Sequence, residues 1–270
     1  MMATAVVELR SGPPTKEELE YYYPAKFTWT QLKTFINAGD LGLLKRDKKL
    51  QKRYDEWSAG MREKFGSILN YILNYRLQWG EDDRYSMLSS ALDTRPPRPE
   101  PPEFIILERP RELPAIPPGT PDIIQNDWPY SVPPEIEHTL IWTRLPIFHP
   151  DLVSTRIKAR VEKDGLWGFT GNTSPPPSPS TLPDALPALA EWGVTMDSLI
   201  QSEKSDDPNL RQEEDNLVRR AGSEVDQFIR NRWVEKEWET AWFVNPPRLQ
   251  SIPGLAHIHV FARKKAPGEL

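Results

Sequence analysis

Apolar side chains recur every three or four residues in the first third of the chain, which is the spacing of helices with one buried face. The first run starts near Thr28, a residue type that caps helices, and ends near Gly39. A second run extends from about residue 43 to 65, and a third from residue 68 to about 80. The pattern therefore predicts three helices before the middle of the chain.

Two later segments alternate polar and apolar residues, which is the pattern of strands. One spans residues 138–144 and the other is the last strand, residues 256–263. Alternation places His257 and His259 on the same face of that last strand. Between the two segments, an apolar stripe predicts one long helix from about residue 212 to 240. This order of elements predicts an α+β fold, with helices against one face of a small, mainly antiparallel sheet.

Prolines divide the chain, because its 29 prolines are clustered and such clusters prevent regular helices. The predicted segments are a flexible lead at 1–24, a helical segment at 25–80, a proline-rich connector at 81–122 with one short strand at 104–107, and an α+β core at 123–265 with a low-complexity insertion at about 165–212. Proline-rich segments also bind protein partners in the extended polyproline form, so they are candidate contacts for such partners.

Charge and hydropathy exclude several classes of protein. The net charge is −5, from 34 basic and 39 acidic residues, so no general positive field attracts nucleic acid. One basic run, residues 45–53, is interpreted as the solvated face of a helix. No apolar run reaches the ~18 residues that span a bilayer, and the residues before Glu8 do not resemble a signal peptide. We expect a soluble intracellular protein that binds neither nucleic acid nor membranes.

The paired imidazoles of His257 and His259 have three interpretations. They are hydrogen-bonded structural residues, ligands of a nucleotide or sugar phosphate, or ligands of a metal ion. A neutral imidazole is a good nucleophile toward activated phosphate. Under the second interpretation the histidines could therefore take part in phosphoryl transfer as well as binding. A metal site is the least favoured, because two histidines need a third donor. We expect no metal or other cofactor, and the chain has no glycine-rich phosphate loop of a kinase or dinucleotide-binding protein.

Several blocks of sequence resemble the fungal N-acetylglucosamine-induced protein 1 family. The most specific are Asn-Asp-Trp-Pro-Tyr at residues 126–130 and the closing block that runs from Ser251 to His-Ile-His-Val at residues 257–260. Further similar blocks lie at residues 27–32, 65–71, 138–143 and 242–245. The resemblance implies a cytoplasmic protein linked to the amino-sugar response and to restraint of chitin synthesis, without an established catalytic activity.

A weaker resemblance is to the histidine-triad superfamily of nucleotide hydrolases and transferases. It rests on the order of the 126–127 turn, the strand that begins at His138, a helix and the closing strand. The resemblance implies a histidine-triad-like topology, with His259 as the nucleophile and His257 as its partner. The third histidine of the triad is replaced by Phe261, which puts protonation of the leaving group in doubt.

Two functions therefore remain open at the level of sequence. One is a regulatory protein of amino-sugar or chitin metabolism without catalysis, and the other is a histidine-triad-like hydrolase, transferase or binder of nucleotides or nucleotide sugars. The candidate catalytic residues are His257 and His259. The candidate substrate-binding residues are Asn126, Asp127, Trp128, Tyr130, His138, Trp142, Asn245 and Ser251.

Overall fold

Five strands form one antiparallel sheet in the order β1-β2-β5-β4-β3. The computed structural model describes residues 7–83, 85–93, 120–145, 147, 153–252, 255 and 257–269. The strands are β1 (Asp122–Gln125), β2 (Ile136–Trp142), β3 (Leu166–Thr170), β4 (Trp238–Val244) and β5 (His257–Lys264). The strands predicted near residues 138–144 and 256–263 are thus β2 and β5, which pair at the centre of the sheet.

Helices precede the sheet and also connect its strands. The α-helices are α1 (Lys16–Tyr22), α2 (Trp29–Asn37), α3 (Lys48–Phe65), α4 (Ile68–Tyr71), α5 (Thr155–Asp164), α6 (Leu182–Ala185), α7 (Pro208–Ala221) and α8 (Ser223–Arg232). Residues Ile72–Arg76 continue α4 as a π-helical turn. The predicted α+β class, N-terminal helices and mainly antiparallel sheet are confirmed.

Local capping explains where the first helices begin. The Thr28 side chain accepts a hydrogen bond from the Gln31 backbone N–H, and the Gln31 side-chain oxygen accepts one from the Thr28 backbone N–H. Asp47 caps α3 by accepting from two backbone N–H groups, which moves the start of this helix from the predicted residue 43 to Lys48. These side chains satisfy N–H groups that have no partner within the helix.

Helices cover both faces of the sheet, so the prediction of helices on one face is wrong. Helices α5, α7 and α8 pack on the face that carries Ile258 and Val260. Helices α2 and α6 pack on Phe243 of the opposite face, and residues 68–79 cover its Leu140. The physical reason is that β2, β4 and β5 are buried along almost their whole length, and a strand with two apolar faces needs a layer on each side.

The single long helix predicted at residues 212–240 is also wrong, because the segment contains two helices and the start of a strand. Helix α7 ends at Ala221, and the next residue, Gly222, packs against the Trp242 indole. An added Cβ at Gly222 would lie 2.8 Å from that ring, so the chain needs glycine at this break. Strand β4 begins at Trp238, inside the predicted helix.

Two segments that were expected to be irregular contain ordered elements. The lead at 1–24 includes α1, which is held by a capping box between Thr15 and Glu18. The insertion at about 165–212 contains edge strand β3, helix α6 and a 3₁₀ helix, Leu186–Trp192, whose Leu189 is fully buried. The predicted strand at 104–107 and most of the proline-rich connector lie outside the described residues.

No helix in the described part of the chain combines the length and the apolar character needed to cross a membrane.

The packing of β3 on β4 generates a test of the fold. An added Cβ at Gly168 would lie 2.6 Å from Trp242, whose indole is 2% exposed and donates to Asp226 at 3.1 Å. We expect Gly168→Ala to lower the free energy of unfolding by about 1–3 kcal/mol in urea denaturation. The matched control is Gly60→Ala in α3, which meets nothing within 4 Å and is expected to stabilise slightly. Equal stability of the two variants would contradict this account.

Candidate functional site

The pairing register of β2 and β5 brings the candidate residues to one face of the sheet. Leu140 lies opposite His259, and Trp142 lies opposite His257. Residues directly opposite each other in an antiparallel pair project to the same side. The two histidines are 5% exposed each, and their rings are 4.8 Å apart between centroids.

This face forms the floor of a cavity of about 790 Å³ that lies against α3 and α4. Nine of the ten candidate residues line it, namely Asn126, Asp127, Trp128, Tyr130, Trp142, Asn245, Ser251, His257 and His259. The tenth, His138, contacts His259 and borders a second cavity of about 740 Å³. The structure therefore gathers the residues that the sequence singled out, from four separate parts of the chain, around one space.

His138 and His259 form a direct imidazole pair. The Tyr130 backbone N–H donates to Nδ1 of His138 at 3.3 Å, so the proton of a neutral His138 is on Nε2. That Nε2 lies 3.0 Å from Nδ1 of His259 and donates to it. Nε2 of His259 in turn lies 3.4 Å from the side-chain amide of Asn245. Both ring nitrogens of His259 are thus within hydrogen-bonding distance of protein groups.

All three described histidines are neutral at neutral pH. Burial is the main cause that lowers the pKa of His138 and His259 well below the ordinary value, and the nearby charge of Arg46 lowers both further. Burial also lowers the pKa of His257 to about 4, although the Leu255 carbonyl opposes this shift. These imidazoles act as hydrogen-bonding groups and not as fixed positive charges.

His257 is less constrained by hydrogen bonds than His259. Its ring stacks on Trp142 with centroids 4.2 Å apart. Its Nδ1 is buried and has no well-aligned hydrogen-bond partner among the residues that the structure describes. A buried polar nitrogen without a well-aligned partner is costly, and such groups collect where a protein contacts a ligand or an ordered water.

The turn after β1 is built by Asn126. Its backbone N–H donates to the His138 carbonyl at 2.7 Å, and its side-chain oxygen accepts from the Trp128 backbone at 2.9 Å. The indole of Trp128 then packs against Trp57 and Tyr54 of α3, with centroids 5.2 and 5.3 Å apart. The turn thereby fixes α3 above the sheet and sets the height of the cavity.

Asp127 is held by an arginine that the sequence analysis missed. Arg76 is 2% exposed and bonds to Asp127 at 2.8 and 3.1 Å and to Asp83 at 2.9 and 3.2 Å. Burial raises the pKa of Asp127, and Arg76 opposes this shift. In the sequence, Arg76 is a basic residue near the end of a predicted helix. Its role becomes visible only when the structure shows its bonds to Asp127, 51 residues away.

The cavity is positively charged although the chain is acidic. Of the described residues, five cationic and two acidic side chains line it, the latter being Asp55 and Asp127. The cations are Lys45, Arg46, Lys48, Arg76 and Lys52. Four of the five belong to the basic run 45–53, which the sequence analysis interpreted only as a solvated helix face. In sequence nothing but the clustering of the cations at the start of α3 pointed to this role, and the structure shows that they share one cavity with the closing strand.

Arg46 is the cation nearest the imidazole pair. Its Nε donates to the Trp128 carbonyl at 3.0 Å, and its Nη1 donates to Gln51 at 2.6 Å. The guanidinium also lies 4.8 Å above the Tyr54 ring. These contacts fix a positive charge beside the floor of the cavity.

No group of three or more histidine, aspartate or glutamate side chains suited to a metal ion occurs within the described ranges.

The fold and site define an α+β protein with a cationic, aromatic cavity above paired histidines. The sequence profile of one family, described as "Protein of unknown function (DUF3605)", matches residues 28–163 and 203–263, more than half of the chain. The chain belongs to that family.

One curated relative is the "N-acetylglucosamine-induced protein 1" of Candida albicans, strain SC5314. It is 24% identical over 121 residues, which cover 45% of this chain and 44% of the relative. The match thus spans less than half of the relative's length. The relative supports the first of the two resemblances described above, and the histidine-triad resemblance stays a prediction.

Among solved structures, the chain is similar to one described as "Crystal Structure of HTC1". The TM-score is 0.39 at 16% identity, and the alignment covers 90% of this chain and 88% of the other. A likeness at this score carries no argument about fold or function.

The neutral state of His257 has a measurable consequence for stability. Its folded pKa of about 4 lies below the ordinary 6.5, so the unfolded chain binds the extra proton between these values. Stability from this residue is complete above pH 6.5 and falls as the pH drops toward 4. We expect His257→Phe, which keeps an aromatic ring beside Trp142, to remove about 2 kcal/mol of the stability loss between pH 7 and pH 5. Denaturant unfolding at both pH values measures this, and an unchanged loss would contradict a buried neutral imidazole.

The Arg76 cluster generates a second test. Arg76→Met leaves the carboxylates of Asp83 and Asp127 buried without their cation, and we expect a loss of about 3–5 kcal/mol at neutral pH. The triple variant Arg76→Met/Asp83→Asn/Asp127→Asn removes those charges and is expected to recover most of the loss. Denaturant unfolding of the parent and both variants measures this. A loss below 1 kcal/mol in the single variant would show that Arg76 is dispensable.

Proposed function

We propose that the cavity binds a nucleotide sugar or a related sugar phosphate, and that the protein is a cytoplasmic regulator of amino-sugar or chitin metabolism in a fungus. The observation that carries this proposal is the combination of seven aromatic and five cationic side chains around one cavity of about 790 Å³. Cavities of a few hundred to about 1,000 Å³ suit ligands of this size.

The aromatic lining supports a ligand that contains rings. The aromatic residues are Tyr54, Trp57, Tyr71, Trp128, Tyr130, Trp142 and Trp192. Nucleobases and sugar rings pack on aromatic faces, and each base stacked in this way contributes about 1–3 kcal/mol. An indole that contacts a sugar also donates from Nε1, and the Nε1 atoms of Trp57, Trp128 and Trp142 are buried without partners within the described part of the chain.

The charge of the cavity supports a ligand with phosphate groups. Lys48 and Lys52 are exposed at its edge, while Arg46 and Arg76 lie deeper. Arg76 is neutralised by its two aspartates, so the lysines and Arg46 provide the positive potential that a phosphate senses. Such a cluster attracts anions and makes their binding dependent on salt.

The choice of an amino-sugar ligand comes from the relative. The name "N-acetylglucosamine-induced protein 1" describes a protein that responds to an amino sugar. UDP-N-acetylglucosamine joins that sugar to a base and two phosphates, the chemistry that the aromatic and cationic lining fits. A protein that senses this precursor is positioned to regulate its use.

The second candidate function, a histidine-triad-like hydrolase or transferase with His259 as nucleophile, has less support. Nucleophilic attack needs a ring nitrogen with a free lone pair. Nδ1 of His259 accepts from His138, and its Nε2 lies beside Asn245. This arrangement favours His259 as part of the cavity floor, and we therefore propose binding in preference to catalysis.

Calorimetry with UDP-N-acetylglucosamine, UDP and N-acetylglucosamine 1-phosphate tests the proposal. We expect binding of UDP-N-acetylglucosamine by the parent protein. We also expect about 5- to 10-fold weaker binding at low salt in Lys48→Gln/Lys52→Gln, because two favourable charges are lost. The matched control is Lys158→Gln/Lys204→Gln, which removes two exposed lysines outside the cavity and is expected to bind like the parent.

Two outcomes would contradict the proposal. Flat traces with every ligand would exclude binding of this ligand class. Equal weakening in the two lysine variants would show that the charge effect does not come from the cavity. Release of UDP or UMP on prolonged incubation with the parent would instead favour the histidine-triad-like enzyme.

A further inference from the structure

One aromatic ring of the cavity stacks on no other ring in the described part of the chain. Of the seven aromatic residues that line it, six contact another aromatic or imidazole ring. These six are Tyr54, Trp57, Tyr71, Trp128, Tyr130 and Trp142. The Trp57–Trp128 and Trp142–His257 pairs are 5.2 and 4.2 Å apart between centroids. Trp192 is the exception, since no ring or cation contact to its indole occurs among the described residues. Its half-buried indole is therefore a part of the cavity wall on which no protein ring stacks.

Trp192 is held firmly although its ring is not stacked. It is the last residue of the 3₁₀ helix Leu186–Trp192, which ends at Gly193 in a left-handed conformation with φ of 69°. Leu189 of the same helix is fully buried, and Glu191 pairs with Lys26 at 3.2 Å. The Trp192 side chain packs on the apolar cluster that contains Phe27 and Leu189. The backbone thus presents the ring in a fixed position.

The segment that carries Trp192 lies outside the family profile. The profile matches residues 28–163 and 203–263, and the interval between them contains β3, α6 and Trp192. The other six aromatic residues of the cavity lie within the matched ranges. The shared part of the family therefore supplies the floor and the cations, whereas the unmatched part supplies one wall.

We infer that Trp192 is the stacking platform for the ligand's ring and the residue by which this chain sets its ligand preference within the family. This inference rests on the proposed function and deepens it. An indole that no protein ring stacks on, beside a cationic cavity, packs on a flat base or on the apolar face of a sugar while the phosphates lie near the lysines. The base and the sugar of the ligand both offer a flat or apolar face to an indole. The titrations below therefore include one probe for each ring.

Calorimetry on the full chain with four probes tests this role. The probes are UDP-N-acetylglucosamine, UMP, N-acetylglucosamine 1-phosphate and inorganic pyrophosphate. We expect Trp192→Ala to bind UDP-N-acetylglucosamine about 5- to 30-fold more weakly and to bind pyrophosphate like the parent, because only ring stacking is lost. Trp192→Phe keeps an aromatic face and is expected to stay within about threefold of the parent. Loss confined to UMP identifies the base as the stacked ring, and loss confined to the sugar phosphate identifies the sugar.

Trp167 offers a matched control. It is also half-buried, packs on the same cluster and lies in the same unmatched segment, but it does not line the cavity. We expect Trp167→Ala to bind all four probes like the parent, and thermal unfolding establishes that both alanine variants are folded at the titration temperature. Unchanged affinity for UDP-N-acetylglucosamine in Trp192→Ala, equal losses in the Trp167 and Trp192 variants, or an equal loss for pyrophosphate would each overturn the inference.

The failure of this inference differs from the failure of the proposed function. If the parent binds UDP-N-acetylglucosamine and Trp192→Ala binds it equally well, the cavity is a ligand site and only the role of Trp192 is wrong. If the parent binds none of the four probes, the proposed function is wrong and the role of Trp192 is overturned with it.

Discussion

The register between β2 and β5 is the constraint on which the site depends. It places Leu140 opposite His259 and Trp142 opposite His257, so that aromatic and imidazole rings share one face. A shift by a single residue would turn each of these side chains to the opposite face, where α5, α7 and α8 pack. The turn at Asn126 depends on the register of β1 and β2, because its backbone N–H donates to the His138 carbonyl and Trp128, two residues further on, contacts α3. Strand β2 therefore links the floor of the cavity to its height, because it pairs with β5 on one side and with β1 on the other.

Buried polar groups give the cavity its chemical character. The imidazoles are neutral because burial opposes their protonation, and Arg46 beside them keeps the floor positive. Arg76 is charged but is compensated by Asp83 and Asp127, so its role is to fix the turn rather than to attract an anion. Because these groups bond to side chains from different elements, the lining is largely formed before any ligand arrives. Preorganisation of this kind favours selective binding, since less conformational freedom is lost when the ligand binds.

Periodicity predicted much of the fold but little of its long-range pairing. The helices at α2 and α3 and the strands β2 and β5 follow from apolar spacing, and the alternation of His257 and His259 correctly placed both rings on one face. Helix α1 has only seven residues and is defined by its capping box, a weaker signal than a long apolar stripe. The break at Gly222 depends on contact with Trp242. Arg76, Arg46 and Trp192 reach the cavity from distant positions, and a single sequence gives no record of which distant residues meet.

The central claim is that a sugar nucleotide occupies the cavity above the paired histidines. The most direct measurement is nuclear magnetic resonance of the imidazole nitrogens in protein that is labelled only at histidine. The chain has four histidines. We expect the signals of His257 and His259, assigned by single substitutions, to shift on titration with UDP-N-acetylglucosamine. Signals that stay unchanged at millimolar ligand would contradict the claim.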